Sequence, residues 1–187
     1  MKRLALGLVL AVTAFAASAG TRNVTDPNAP RSLPEDGPVS ISWDDPSKFS
    51  DLRYSGNRWE AERGDWVQQL ASYLRKRANA QLMPGEKLEI RITDIERAGR
   101  YEPWRGINVD HVRFVRDQYP PRMELSYTLY AADGQVLAQA EQRKISDLGF
   151  LQGSTRLNNT DPLRYEKAMI DDWVRRDLNS TRVASER

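Results

Sequence analysis

The side chains that most often do chemistry are scarce in this sequence, and those present are mainly acids and arginines. There is no cysteine and one histidine, His111. Thiol catalysis, thiolate zinc sites, redox pairs and the two-histidine helical zinc motif therefore have no ligands to use. A Ser-His-Asp arrangement would have to use His111, and no Gly-x-Ser-x-Gly turn presents a nucleophile. The close carboxylates are Asp44 with Asp45, Asp94 with Glu96, and Asp171 with Asp172. Such pairs can hold calcium or share acid and base work in a glycosidase. None has calcium-loop spacing, and strand or helix geometry turns sequence neighbours apart, so capping, turns and solvation account for them. No metal and no cofactor is expected.

Glu166 stands out by position. After Asp161-Pro162, the side chains Leu163, Tyr165, Met169, Ile170, Trp173 and Val174 spread over one broad helical face, and Glu166 projects near its centre. A carboxylate there is pulled out at the domain edge, buried with a partner, or a catalytic acid with a raised pKa. Burial without a partner costs several kcal/mol. The expectation is a buried ion pair fixing the helix on the sheet, with Arg122 or Arg53 as its cation.

The segment from Arg97 to Asn108 sets Arg97, Arg100 and Arg105 beside Tyr101 and Trp104, with Pro103 and Gly106 shaping it. Arginine with exposed aromatic rings grips a sugar face, an anionic lipid headgroup or a protein partner. These five residues are the ligand-binding candidates. The competing expectation is that Tyr101 and Trp104 fold back to cover a sheet edge. His111 alternates with Val112 and Phe114 and is expected at the surface or in packing.

Periodicity supplies the elements that must hold these residues. Val39, Ile41 and Trp43 alternate with serines as a half-buried strand does, and Pro46 follows. Asp65 and Gln68 have capping-box spacing ahead of a helix burying Trp66, Val67, Leu70, Ala71, Leu74 and Ala78, stopped by Met83-Pro84-Gly85. Leu88, Ile90 and Ile92 make a second strand, and residues 110–116 a third. Asp133-Gly134 predicts a two-residue type I′ hairpin. That turn would set Leu129 against Ala138, Tyr127 against Ala140, and Glu124 against Arg143. A last helix, opened by Asp161 with Pro162 at its first position, runs to about Leu178. The order β-α-β-β-β-β-α predicts a two-layer α+β domain: a mainly antiparallel sheet of about five strands with two helices packed on one face.

The chain's ends bound the setting. Lys2 and Arg3 precede an apolar run from Leu4 to Ala16, and Ala17-Ser18-Ala19 suits a leader peptidase, which predicts a signal peptide over 1–19. The run is too short to span a bilayer core of ~30 Å. Localisation in the periplasm or secretion, after cleavage near Ala19, is therefore expected. Residues 20–38 are polar and Pro-containing and are expected as a disordered lead-in, residues 39–178 as one domain, and 179–187 as a flexible tail. Without the leader the chain has 26 basic and 26 acidic residues. That balance argues against nucleic acid and against a polybasic membrane module. With no disulfide available, packing must supply the stability, and five Trp and seven Tyr are a source of it.

Several short motifs together resemble an exported bacterial family, domain of unknown function 3016. They are Ser42-Trp43-Asp44-Asp45-Pro46 leading to Phe49-Ser50-Asp51-Leu52-Arg53, then Thr93-Asp94-Ile95-Glu96-Arg97-Ala98-Gly99. Tyr119-Pro120-Pro121-Arg122 and Tyr165-Glu166-Lys167 with Asp172-Trp173 complete them. The resemblance covers roughly residues 39–178, implies a bacterial cell-envelope setting, and brings no reaction or ligand. The function expected is a non-catalytic binding or accessory domain of the envelope, its partner an envelope protein or glycan. The alternative is a carboxylate-dependent hydrolase acting on a periplasmic saccharide or peptide.

Overall fold

Alternating apolar side chains on three long segments and one short one build the main sheet, whose inner face carries the core. The structure, a computed structural model, describes residues 22–152 and 159–178. The expected signal peptide, residues 1–19, and the expected tail, residues 179–187, lie outside the described residues. Strand β1 (Val39–Trp43) is followed by two short helices, α1 (Ser50–Arg53) and α2 (Arg58–Glu62), and by the longer α3 (Trp66–Asn79). Strands β2 (Lys87–Glu96), β3 (Arg100–Tyr101), β4 (Arg113–Phe114), β5 (Arg122–Tyr130) and β6 (Val136–Ser146) come next. Helix α4 (Arg164–Trp173) continues into a π-helical turn, Val174–Leu178.

The main sheet has the order β1-β2-β5-β6, with β1 parallel to β2 and the other pairings antiparallel. The fold is thus the expected α+β arrangement, with four strands in the main sheet. Residues 110–116 do not supply a fifth. Only Arg113 and Phe114 pair there, with β3, in a separate two-stranded sheet. The periodicity of that segment misleads because Arg113 turns inward to a buried acid while Val112 and Val115 face solvent.

Both longer helices pack on one face. Helix α3 buries Trp66, Val67, Leu70, Ala71, Leu74 and Ala78, and its larger apolar side chains contribute roughly 1.5–3 kcal/mol each. Helix α4 buries Met169, Ile170 and Trp173, whose ring meets Tyr127 of β5 edge-on at 5.6 Å. The two helices are tied by Asp171, which accepts from the Tyr73 hydroxyl at 2.9 Å and pairs with Arg77 at 2.6 Å. Burial and this carboxylate together push the Tyr73 phenol up to about 12. On the opposite face Ser40, Glu89, Arg91 and Thr128 are exposed or half-buried, as a solvated face requires.

Register is adjusted at three places, the last of them between Leu129 and Tyr130 beside the β5–β6 turn. A shift between Ile92 and Asp94 adds a residue to β2, so Ile95 replaces Asp94 on the core face. A second shift, with Gln142 at φ +50°, adds a residue to β6. Leu129 opposes Ala138 and Tyr127 opposes Ala140 as expected, yet Glu124 meets Lys144 rather than Arg143 because that bulge intervenes. The turn is also not type I′, which needs positive φ at both central residues. Gly134 alone has it (φ +86°), the Gly134 amide donates to Ala131 O, and a three-residue loop with a glycine bulge results.

Both helix starts differ from expectation. Asp65 makes no side-chain cap and accepts instead from Gln69 Nε2 at 2.6 Å, so the box with Gln68 does not form. Asp161 accepts from the Leu163 amide at 2.8 Å, which places Pro162 in a turn and starts α4 at Arg164. Helix α3 ends at Asn79, before Met83. Residues 22–38, expected as disordered, are held against the domain. The Leu33 amide donates to Ile41 O, the Trp43 amide to Arg31 O, and the Val24 amide to Glu62 O. Strand β1 is an edge strand whose free backbone groups need cover, and burial of Leu33 completes that seam.

Candidate functional site

Helix α1 is only one turn long, so its position depends on what holds its ends. The Ser50 amide and hydroxyl both donate to Asp94 at 2.6 Å, while Phe49 and Leu52 are buried in the core. This places Asp51 inside the protein with no exposed side-chain surface. Two guanidinium groups reach it. Arg97, just past β2, is 2.7 Å from Asp51 Oδ2, and Arg113 of β4 is 2.5 Å from Oδ1. The Arg97 amide donates to the same carboxylate at 2.9 Å.

Both arginines make further contacts. Arg97 donates to Ala61 O and lies 4.2 Å over the Trp66 ring, and Arg113 donates to the carbonyls of Ala98 and Arg97. Burial alone would raise the pKa of Asp51, but Arg113 and Arg97 outweigh it and hold the carboxyl below the ordinary range. The result is a packed charge cluster that joins α1, the end of β2 and β4.

Glu166 lies on the α4 side of this cluster, buried at 1% exposure. Its partner is neither Arg122 nor Arg53. Oε1 accepts from the Ala98 amide at 2.6 Å, and Oε2 has no hydrogen-bond partner among the described residues. Burial pushes its pKa up, opposed by the amides of Ala98 and Glu166 and by the charges of Arg113 and Arg97. Arg122 is at the surface, 3.4 Å from Glu96, and Arg53 is exposed above the Tyr54 ring. The residue sits in the first turn of α4, which brings it to the turn after β2 rather than to either expected cation.

The five ligand-binding candidates divide. Arg97 and Tyr101 are interior: Arg97 serves Asp51, and the buried Tyr101 ring lies 5.4 Å from the Arg113 guanidinium. Arg100 is half-buried, 3.0 Å from Glu96 and over the Tyr119 ring. Arg105 is exposed, pairs with the buried Glu102 and covers the Phe114 ring. Trp104 is 69% exposed. Burial would raise the Glu102 pKa, but hydrogen bonds from Arg105 and Tyr119 and the charge of Arg116 hold it low.

A second segment joins this loop. The turn at Gly56 packs so closely that a Cβ there would lie 2.3 Å from Tyr101 O and 2.6 Å from Pro103 Cδ. Asn57 Nδ2 donates to Asp110 O at 3.1 Å. Tyr54 and Trp59, flanking that turn, are exposed, with Arg53 over Tyr54 and Arg63 over Trp59. Residues 53–63 and 100–116 thus form one edge, rich in arginine and aromatic side chains, with the Asp51 cluster beneath it. Asp51 lies in one of the family motifs, which assigns it no role, and neither periodicity nor motif distinguishes Arg113, Glu102, Tyr54, Arg58 and Trp59. The one available signal was the acid at position 51 between the apolar Phe49 and Leu52.

The paired acids hold separate local partners. Asp44 pairs with Arg91, Asp45 caps the turn at Ser47, Asp94 holds Ser50, and Asp172 meets Arg175 and Arg176. His111 is exposed beside Asp110. Among the described residues no group of three or more potential metal ligands is found. None of their helices is long and apolar enough to cross a membrane.

An α+β domain with both longer helices on one sheet face and a charge cluster under an aromatic edge is thus defined. The chain belongs to the family described as protein of unknown function (DUF3016), whose model matches residues 37–176. No curated protein and no solved structure is significantly similar to it.

Proposed function

We propose that this protein is a non-catalytic binding domain of the bacterial cell envelope, exported by its leader and engaging an envelope component through the edge formed by residues 53–63 and 100–116. One observation carries this reading. The edge concentrates exposed aromatic side chains and arginines on turns that are fixed from below by buried charges. A surface so anchored meets a partner without first paying for ordering of its loops. The carboxylates that a hydrolase would need to converge are engaged in separate structural contacts: Glu166 with Ala98, Asp94 with Ser50, and Asp172 with two arginines. The Lys2-Arg3 head, the apolar run and Ala17-Ser18-Ala19 support the envelope setting.

Retention of the leaderless protein by an immobilised envelope extract tests this role. Retention should fall in Trp104→Ala and Trp59→Ala while the melting temperature is unchanged. Equal retention of wild type and both variants would contradict the assignment of the edge.

A further inference from the structure

We propose that the arginine–aromatic edge docks on an anionic lipid surface; this rests on the binding role above and names its partner. Six of the ten large apolar side chains exposed among the described residues belong to this one edge: Tyr54, Trp59, Trp104, Ile107, Val112 and Val115. Ile107 is 83% exposed and the two tryptophans are over 60% exposed. They stand on short elements, α2 and the two 3₁₀ turns at Pro103–Arg105 and Ile107–Val109. A clustered apolar patch of this kind marks an interaction site. Tryptophan and tyrosine beside cationic side chains suit the boundary between headgroups and acyl chains.

Charge selects the kind of surface. Residues 53–63 and 100–117 carry seven arginines against five acids, and their exposed charged side chains are Arg53, Arg58, Arg63 and Arg105 beside Asp110 and Asp117. Glu102 is buried against Arg105 and Arg116, Glu60 is paired to Arg63, and Asp110 lies beside His111. Arg53 and Arg58 have no carboxylate partner among the described residues. These two segments thus carry a formal excess of two positive charges, although the leaderless chain is balanced overall. Anionic headgroups attract such a cluster, and the attraction falls with salt. A glycan would be met by ring faces beside hydrogen-bonding groups, whereas Ile107, Val112 and Val115 offer only apolar surface.

Vesicle co-sedimentation of the leaderless protein tests the proposal. Binding should occur to vesicles of equal parts phosphatidylcholine and phosphatidylglycerol, and be at least about tenfold weaker to phosphatidylcholine alone, since an apolar face and anionic attraction act together in interfacial binding. Two double variants, Trp59→Ser with Trp104→Ser and Arg53→Gln with Arg58→Gln, should each lose most of this binding at unchanged melting temperature. Trp43, Trp66 and Trp173 are buried, so a blue shift of tryptophan emission on binding should vanish in the tryptophan variant.

Absence of binding to both vesicle types, or equal binding by the variants, overturns the lipid proposal. Retention on an anionic polysaccharide such as alginate in place of vesicles overturns it too and assigns the edge to glycans. If vesicles fail while envelope extract still retains the protein in a Trp104-dependent way, the lipid inference falls and the binding role stands. If neither retains it, both fall.

Discussion

Arg113 Nη2 lies 2.5 Å from Asp51 Oδ1, joining two residues 62 positions apart in the chain around a carboxylate with no exposed surface. With Arg97 on the other oxygen, this contact fixes α1 and β4 to the end of β2. Beyond Phe49, Leu52, Ala61 and Tyr101 the short segments above bury little apolar surface. Their placement depends on this charge pair and on the backbone carbonyls that the same arginines bind.

Replacing Asp51 by Asn should therefore destabilise the protein by about 3–5 kcal/mol, since two buried guanidinium groups lose their counter-charge. Urea unfolding at neutral pH measures this directly. The acid limb gives a second readout. The folded-state pKa of Asp51 is depressed, so its contribution is present above the ordinary aspartate range and is lost as pH falls through the lower folded value. The variant should have a flatter stability curve in that acid window. A loss of stability no larger than that of a surface acid would show the cluster to be dispensable.

Glu166 should behave with the opposite sign. Burial raises its folded-state pKa, so the stability gained from its protonated form is complete below the ordinary glutamate range and is lost as pH rises through the folded value. Glu166→Gln should remove this slope while an oxygen remains to accept from the Ala98 amide. Glu166→Ala leaves that buried amide unpaired and should cost about 1–3 kcal/mol. Melting curves of the three proteins across the range from acid to neutral would show it. An unchanged slope in the glutamine variant would place the residue's charge outside the folding equilibrium.

Gly56→Ala tests the junction between the two halves of the edge. Its Cβ would meet Tyr101 O at 2.3 Å, and backbone on both sides must shift to relieve that contact. Overpacking of this kind costs roughly 1–3 kcal/mol. Thermal unfolding should register the loss, and retention by envelope extract should weaken with it. Unaltered stability would mean that the turn yields freely and does not set the edge.

The layers of the fold were legible because each rests on local periodicity. Val39, Ile41 and Trp43, the stripe from Trp66 to Ala78, and the facing of Leu129 with Ala138 follow from side chains near one another in sequence. The register shifts escaped, since an extra residue such as Gln142 leaves no mark on an apolar–polar pattern. Arg113 escaped for a different reason. Alternation assigns an arginine to the solvent, and its inward turn is decided by Asp51, which no local rule brings near it. The same holds for Glu166: its burial was readable from the helical face, but its partner is the backbone amide of Ala98, and an amide has no sequence signature. Trp104 was anticipated as a candidate at the surface, whereas Trp59 becomes its neighbour only through the contact of Gly56 with Tyr101 and Pro103.

Hydrogen–deuterium exchange of residues 20–187, with and without solubilised envelope extract, tests the location of the proposed binding surface most directly. Added protection is predicted in residues 53–63 and 100–116, and none at Ser40, Glu89, Arg91 and Thr128 on the solvated sheet face. Protection confined to that sheet face, with the arginine–aromatic edge exchanging as in the free protein, would contradict it.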